Sequence, residues 1–124
     1  MEKTIVDGLA RLPSFSHATI VGNTIYVSGT LGTAPNTMEL VPGGVGPETS
    51  QTLENIRTIL EATGAGVDDI AKVNVYVSDI STFSEMNEAY LEFFDNAPPA
   101  RITVGGVDLA LGAAVEIDCI AELP

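Results

Sequence analysis

The sequence predicts an α+β domain: a mixed β-sheet with two helices packed on one face. Three observations carry that expectation. Several runs alternate polar and apolar residues with the period of two that marks a half-buried strand, most plainly Val73, Val75 and Val77 against Lys72, Asn74, Tyr76 and Ser78. Two longer segments repeat apolar residues at helical spacing, Leu53-Ile56-Leu60 and Phe83-Met86-Tyr90. Taken along the chain, the order is β, β, loop, α, β, α, β, β. One domain over 1–124 accommodates all of it, with enough chain for a core of its own.

Each element has its own local reason. The apolar patch at Ile5-Val6 suits an edge strand. Ala18 to Val21 and Thr24 to Ser28 are β-rich, and Gly22-Asn23 between them suits a two-residue hairpin turn. Pro35 to Pro47 carries three glycines and three prolines and reads as a loop. Glu48 to Ala62 reads as a helix stopped by Gly64. Ile70 to Ser78 is a strand with two different faces. A second helix follows, with Thr82 and Glu85 in the spacing of a capping box and Ser81 as a competing cap. Phe93-Phe94 closes its apolar stripe, and Asn96 to Pro99 ends it, because two prolines cannot continue a helix. Two further strand-like runs, Pro99 to Val104 and Ala113 to Asp118, flank a glycine-rich turn.

Composition narrows the function. Net charge is −12, with two lysines and three arginines, so a phosphate backbone would be repelled and sequence-independent nucleic-acid binding is not expected. The chain is 45% hydrophobic, high for a small monomer, which suggests apolar surface buried between subunits. The single cysteine, Cys119, rules out an internal disulfide and reads as a small buried hydrophobe. No run of about twenty apolar residues or secretory leader is visible, and a cytoplasmic setting without membrane association is the expectation. One histidine and no cluster of Cys and His give no basis for a metal site.

Chemistry concentrates in the last two strands. Arg101 and Thr103 share one face of their strand, and Glu116 and Asp118 share one face of theirs. If these strands are neighbours, guanidinium and carboxylate meet on one side of the sheet. Two helices cover the other side, and a partner chain would cover this one. A bidentate arginine suits a planar carboxylate, and a carboxylate nearby can orient water and accept its proton. On the strands alone, a structural ion pair between Arg101 and Glu116 is the favoured reading, because paired buried charges are common structural features.

Spaced positions across nearly the whole chain add a resemblance. Pro99-Ala100-Arg101 followed by Val115-Glu116-Ile117, fifteen residues from arginine to glutamate, is similar to the signature of the RidA (YjgF/YER057c/UK114) family. Further matches are Gly22-Asn23 before Val27-Ser28-Gly29, then Gln51, Thr52, Asn55 and Leu60, then Lys72 to Val77 with Asp79, and finally Phe83, Asn87, Tyr90 and Phe93-Phe94. The resemblance implies a chorismate-mutase-like fold, homotrimers with ligand clefts between subunits, and hydrolysis of 2-imino and enamine acids to 2-keto acids and ammonia without metal or cofactor. It implies Arg101 as the carboxylate-binding arginine and Glu116 as the water-positioning glutamate. Gly29, Phe83 and Asn87 become substrate contacts, with backbone groups around Thr103. Two positions depart from the pattern: Thr103 stands where a cysteine is frequent, and Phe15 where a tyrosine often lines the cleft. His17, expected at a surface or cleft edge, could replace the missing hydroxyl. The alternatives are a non-catalytic trimer that binds small carboxylates or partner proteins, and a related hydrolase of a dedicated catabolic pathway.

Overall fold

The structure is a computed structural model that describes residues 1–124. Six strands form one mixed sheet: β1 (Glu2–Thr4), β2 (Ala18–Val21), β3 (Thr24–Thr30), β4 (Ile70–Val77), β5 (Ala100–Gly105) and β6 (Val115–Glu122). Their order across the sheet is β1-β2-β3-β6-β4-β5. β1, β2 and β3 form an antiparallel meander, with Gly22 at φ 60° making the hairpin turn between β2 and β3. β6 pairs antiparallel with both β3 and β4. β5 lies at the edge, parallel to β4. A parallel neighbour requires a crossover, and helix α2 (Phe83–Phe94) supplies it.

Helices α1 (Val45–Thr63) and α2 pack side by side on one sheet face. The core between them and the sheet is built from alternate strand residues, Ile25 and Val27, Val73, Val75 and Val77, and Val115, Ile117 and Cys119. Leu53, Ile56, Ile59 and Leu60 face them from α1, and Met86, Tyr90 and Phe94 from α2. Ile56 is 1% exposed, and burying a side chain of that size contributes about 1.5–3 kcal/mol. Cys119 is buried as expected, and burial first, then the Asp118 charge, pushes its thiol up to about 12. It is therefore a poor nucleophile at neutral pH.

Several expectations shift. The edge strand lies at Glu2–Thr4, just before the Ile5-Val6 patch. Helix α1 starts at Val45, earlier than Glu48, because Pro47 falls in the first turn, where a missing N–H costs nothing. Its end is as expected: Gly64 N–H donates to Glu61 O at 3.2 Å and Ala65 N–H to Leu60 O at 3.0 Å. The capping box of α2 does not form, and Thr82 makes no side-chain cap. Asp79 instead caps a short 3-10 turn, Ile80–Thr82, that leads into α2: it accepts from Ser81 N–H at 2.9 Å, while Thr82 Oγ1 donates to the Asp79 carbonyl at 2.7 Å.

The largest correction concerns the last two strands. β5 and β6 are not neighbours, because β4 lies between them. Arg101 and Thr103 stand in register with Val73 and Val75, on the helix side of the sheet. Glu116 stands opposite Tyr76, on the face away from the helices. Within one chain the arginine and the glutamate are on opposite faces, so neither a shared site nor an ion pair joins them. Outward on β5 are Ile102 and Val104, 52% and 38% exposed, which inverts the usual polar-out pattern of an edge strand.

Candidate active site

The predicted site residues form two groups. The first surrounds Arg101 at the β5 edge. Arg101 Nη1 donates to Asn87 Oδ1 at 2.8 Å. Its guanidinium lies 4.6 Å from the centre of the Tyr90 ring and 5.6 Å from that of Phe83. All three partners come from one face of α2, where positions three and four apart are neighbours. Phe83, Asn87 and Tyr90 thus box the cation without neutralising it. The structure's one ion pair joins Arg57 and Glu54 on the surface of α1. Two hydroxyls in this region, Thr103 Oγ1 and Tyr90 Oη, are buried without a hydrogen-bond partner. An unpartnered buried hydroxyl costs about 1–3 kcal/mol. Burial, partly offset by the Arg101 charge, pushes the Tyr90 hydroxyl up to about 12, so it stays protonated.

The second group gathers where β3 ends. A bulge between Val27 and Thr30 takes Ser28 and Gly29 out of the β3–β6 ladder. The Glu116 carboxylate lies directly against Gly29, so close that a Cβ there would collide with Oε2. Only glycine permits that approach. Burial lifts the Glu116 carboxyl above the ordinary carboxylate range, and the charge of Asp118 lifts it further. Asp118 is itself held by Asn74 Nδ2 at 2.7 Å. Glu116 and Gly29 open onto a cavity of about 260 Å³ whose walls include Phe15.

His17 lines the same cavity, as expected of a cleft-edge residue, but its ring is buried and engaged. It is 4% exposed, its Nδ1 accepts the Val6 N–H at 3.0 Å, and its Nε2 donates to the Ala10 carbonyl at 3.1 Å. Both nitrogens are committed to holding residues 6–10 against β2, so His17 cannot stand in for the hydroxyl that Phe15 lacks.

Two residues support the site in roles that the sequence reading did not assign, although Asn55 is among the spaced matches given above. Asn55 Nδ2 donates to the carbonyls of Leu31 and Thr33, both at 3.0 Å, and fixes the segment that follows Gly29. Glu48, 7% exposed, accepts the Ala114 N–H at 2.9 Å and ties α1 to the start of β6. Asn on a buried helix face and Glu in a first helical turn are visible signals, but their partners are distant in sequence. Asn55→Ala leaves two loop carbonyls without their donor. It is expected to cost about 1–3 kcal/mol and lower the thermal midpoint by several degrees, read by calorimetry.

The chain is similar to known proteins over nearly all its length. A family model described as Endoribonuclease L-PSP matches residues 7–123. The 2-iminobutanoate/2-iminopropanoate deaminase of Bos taurus is 41% identical over 112 residues, covering 90% of this chain and 82% of that protein. The crystal structure of RidA from an Antarctic Psychrobacter superposes with a TM-score of 0.90 at 38% identity, covering 98% of this chain and 100% of that one. Escherichia coli TdcF, solved with bound serine, superposes with a TM-score of 0.90 at 29% identity, covering 99% and 100%. With the family model spanning all but the first strand, and Arg101, Glu116 and Gly29 set in the fold those structures share, the chain belongs to the Endoribonuclease L-PSP family, the RidA (YjgF/YER057c/UK114) family that its sequence resembles.

Proposed function

We propose that the protein hydrolyses 2-imino acids and their enamine tautomers, such as 2-aminoacrylate, to 2-keto acids and ammonia, at sites completed between subunits of a homotrimer. The Arg101 guanidinium carries this reading. It is held by two aromatic rings and an amide oxygen, with no carboxylate beside it, in a chain of net charge −12. A boxed, unneutralised guanidinium suits a small planar carboxylate, which it can grip bidentately.

The separation of the two groups supports a composite site. Arg101 and Glu116 cannot share a substrate within one chain, but Arg101 of one copy can meet the Glu116 cavity of the next. The outward sheet face offers apolar contact for such packing at Tyr26, Ile102 and Val104, all exposed in the single chain. Size exclusion with light scattering is expected to give about three times the 12.9 kDa chain mass. A monomer at micromolar concentration would end the shared-site reading.

The chemistry needs positioning more than a strong nucleophile, because an iminium carbon is already electrophilic. Arg101 holds the substrate carboxylate. Water attacks the carbon and forms the C–O bond, Glu116 takes one water proton, and the C=N electron pair moves to nitrogen. Glu116 then returns that proton to the amino nitrogen. The C–N bond breaks as the carbonyl forms, ammonia leaves, and the hydroxyl proton passes to solvent. In this reading, backbone groups at Gly29 and Thr103 hold the nitrogen. With few cations to meet a phosphate backbone, the chain is poorly suited to RNA. The deciding experiment generates a 2-imino acid in situ and follows its decay with and without the protein. Accelerated release of 2-keto acid and ammonia is expected. Unchanged decay, with pyruvate still bound, would favour a carboxylate-binding protein without catalysis.

A further inference from the structure

We infer that the cavity beside Glu116 is a side-chain pocket, and that the enzyme prefers 2-imino acids with branched apolar side chains of about leucine size over the smallest ones. This rests on the deaminase reading above and adds the substrate's side chain to it. The lining is the first observation. Leu12, Phe15, Met38 and Leu111 are 54%, 38%, 47% and 55% exposed, and all four line this one cavity. They come from three separate segments, the stretch after β1, the loop after β3 and the turn before β6, so their convergence is tertiary. Large apolar side chains scattered singly on a surface are ordinary, but four around one opening are not.

The second observation is the effort spent holding that rim. Leu111 sits at φ 60°, ψ 14°, in the left-handed region that a leucine occupies only at a cost. A glycine would fit that turn without strain, yet a large apolar side chain stands there at the cavity. Arg11 itself lines the pocket, and its Nη1 is committed to the wall, donating to the Leu12 carbonyl at 3.2 Å and to the Phe15 carbonyl at 2.9 Å. It braces the turn that carries Leu12 and Phe15. Phe15 itself adds ring surface and no hydroxyl. Of the polar side chains in the lining, those of Arg11, His17, Ser28, Thr30 and Asn55 are hydrogen-bonded to backbone groups, and Glu116 beside Gly29 marks where the reacting carbon belongs in this reading.

Size is the third. A dry cavity of about 150 Å³ accommodates a benzene-sized molecule. The cavity here is about 260 Å³, more than a methyl group can fill. An alanine-derived imine would leave most of the apolar wall uncovered, whereas a leucine-derived one would cover it. A single methylene in an apolar pocket changes kcat/KM by about 10–200-fold, so a difference of at least about tenfold is expected across this larger change.

The test uses imines generated by a D-amino-acid oxidase from D-alanine, D-leucine and D-asparagine, with decay followed against semicarbazide trapping. Leucine and asparagine have side chains of matching heavy-atom count, so this pair separates apolarity from size. The leucine-derived imine is expected to show a kcat/KM at least about tenfold above both others. If the alanine- or asparagine-derived imine is turned over equally well, the side-chain pocket is wrong while the deaminase reading stands. If no imine is hydrolysed, the deaminase reading fails, and calorimetric titration decides the pocket. Binding of 4-methyl-2-oxopentanoate about tenfold tighter than pyruvate would still support it, and equal or absent binding would overturn it. Leu111→Gly supplies an independent check. It relieves the positive φ, so the thermal midpoint should hold or rise, while the leucine-to-alanine preference should fall severalfold. An unchanged preference would remove the rim from substrate selection.

Discussion

Glu116→Gln is expected to lower kcat for imine hydrolysis by roughly 10²–10⁴-fold while pyruvate binding and subunit assembly persist. Glutamine keeps the size of the side chain and its contact with Gly29 but cannot accept the proton of the attacking water. Stability should move the other way from what an ion pair would predict. Burial raises the Glu116 carboxyl above its ordinary value in the folded chain. The folded state then binds this proton more tightly than the unfolded state does. Glu116 therefore costs stability above its folded pKa, and the cost disappears as pH falls below the unfolded value. At neutral pH the glutamine variant should have a thermal midpoint equal to or above that of the wild type. The same shift sets the pH profile. The base form of Glu116 is lost as pH falls through its raised value, so the acid limb of kcat/KM should lie above the usual carboxylate range. That limb should vanish in Glu116→Gln. A stable glutamine variant with undiminished hydrolysis would leave Arg101, backbone groups and bulk water as the whole mechanism.

Arg101→Lys is expected to weaken binding of pyruvate by about 10- to 100-fold, read by calorimetric titration. Lysine keeps the charge but loses the planar fork, and the loss of one charge-assisted hydrogen bond is worth about 1.5–3 kcal/mol. It also loses the flat face that stacks on Tyr90 and the Nη1 that meets Asn87. The fold should persist, because Arg101 has no carboxylate whose burial it compensates and lies on an edge strand. Equal affinity in variant and wild type would make Arg101 a packing residue for α2.

Much of this was legible in the chain itself. Local periodicity placed both helices and the strands from β2 onward within a few residues, because a half-buried strand and an amphipathic helix each impose their own spacing. Cys119 read as core from its apolar run. The family was legible from spaced residues such as Arg101 and Glu116. The start of α2 was not, because Thr82 and Ser81 were the cap candidates, whereas the folded backbone sets a short turn at Ile80–Thr82 that Asp79 caps instead.

What the sequence determined by itself is which residues share a face of their own strand: Arg101 with Thr103, Glu116 with Asp118. Those pairings follow from the two-residue repeat of a β-strand and need no neighbour. Tertiary structure alone decided which way each face points. β4 stands between β5 and β6, so the parity of one strand says nothing about the other, and Arg101 turns toward α2 while Glu116 turns away. It alone also committed both nitrogens of His17 to the backbone and drew Leu12, Phe15, Met38 and Leu111 around one cavity. These depend on contacts between segments distant along the chain, and no local spacing encodes them.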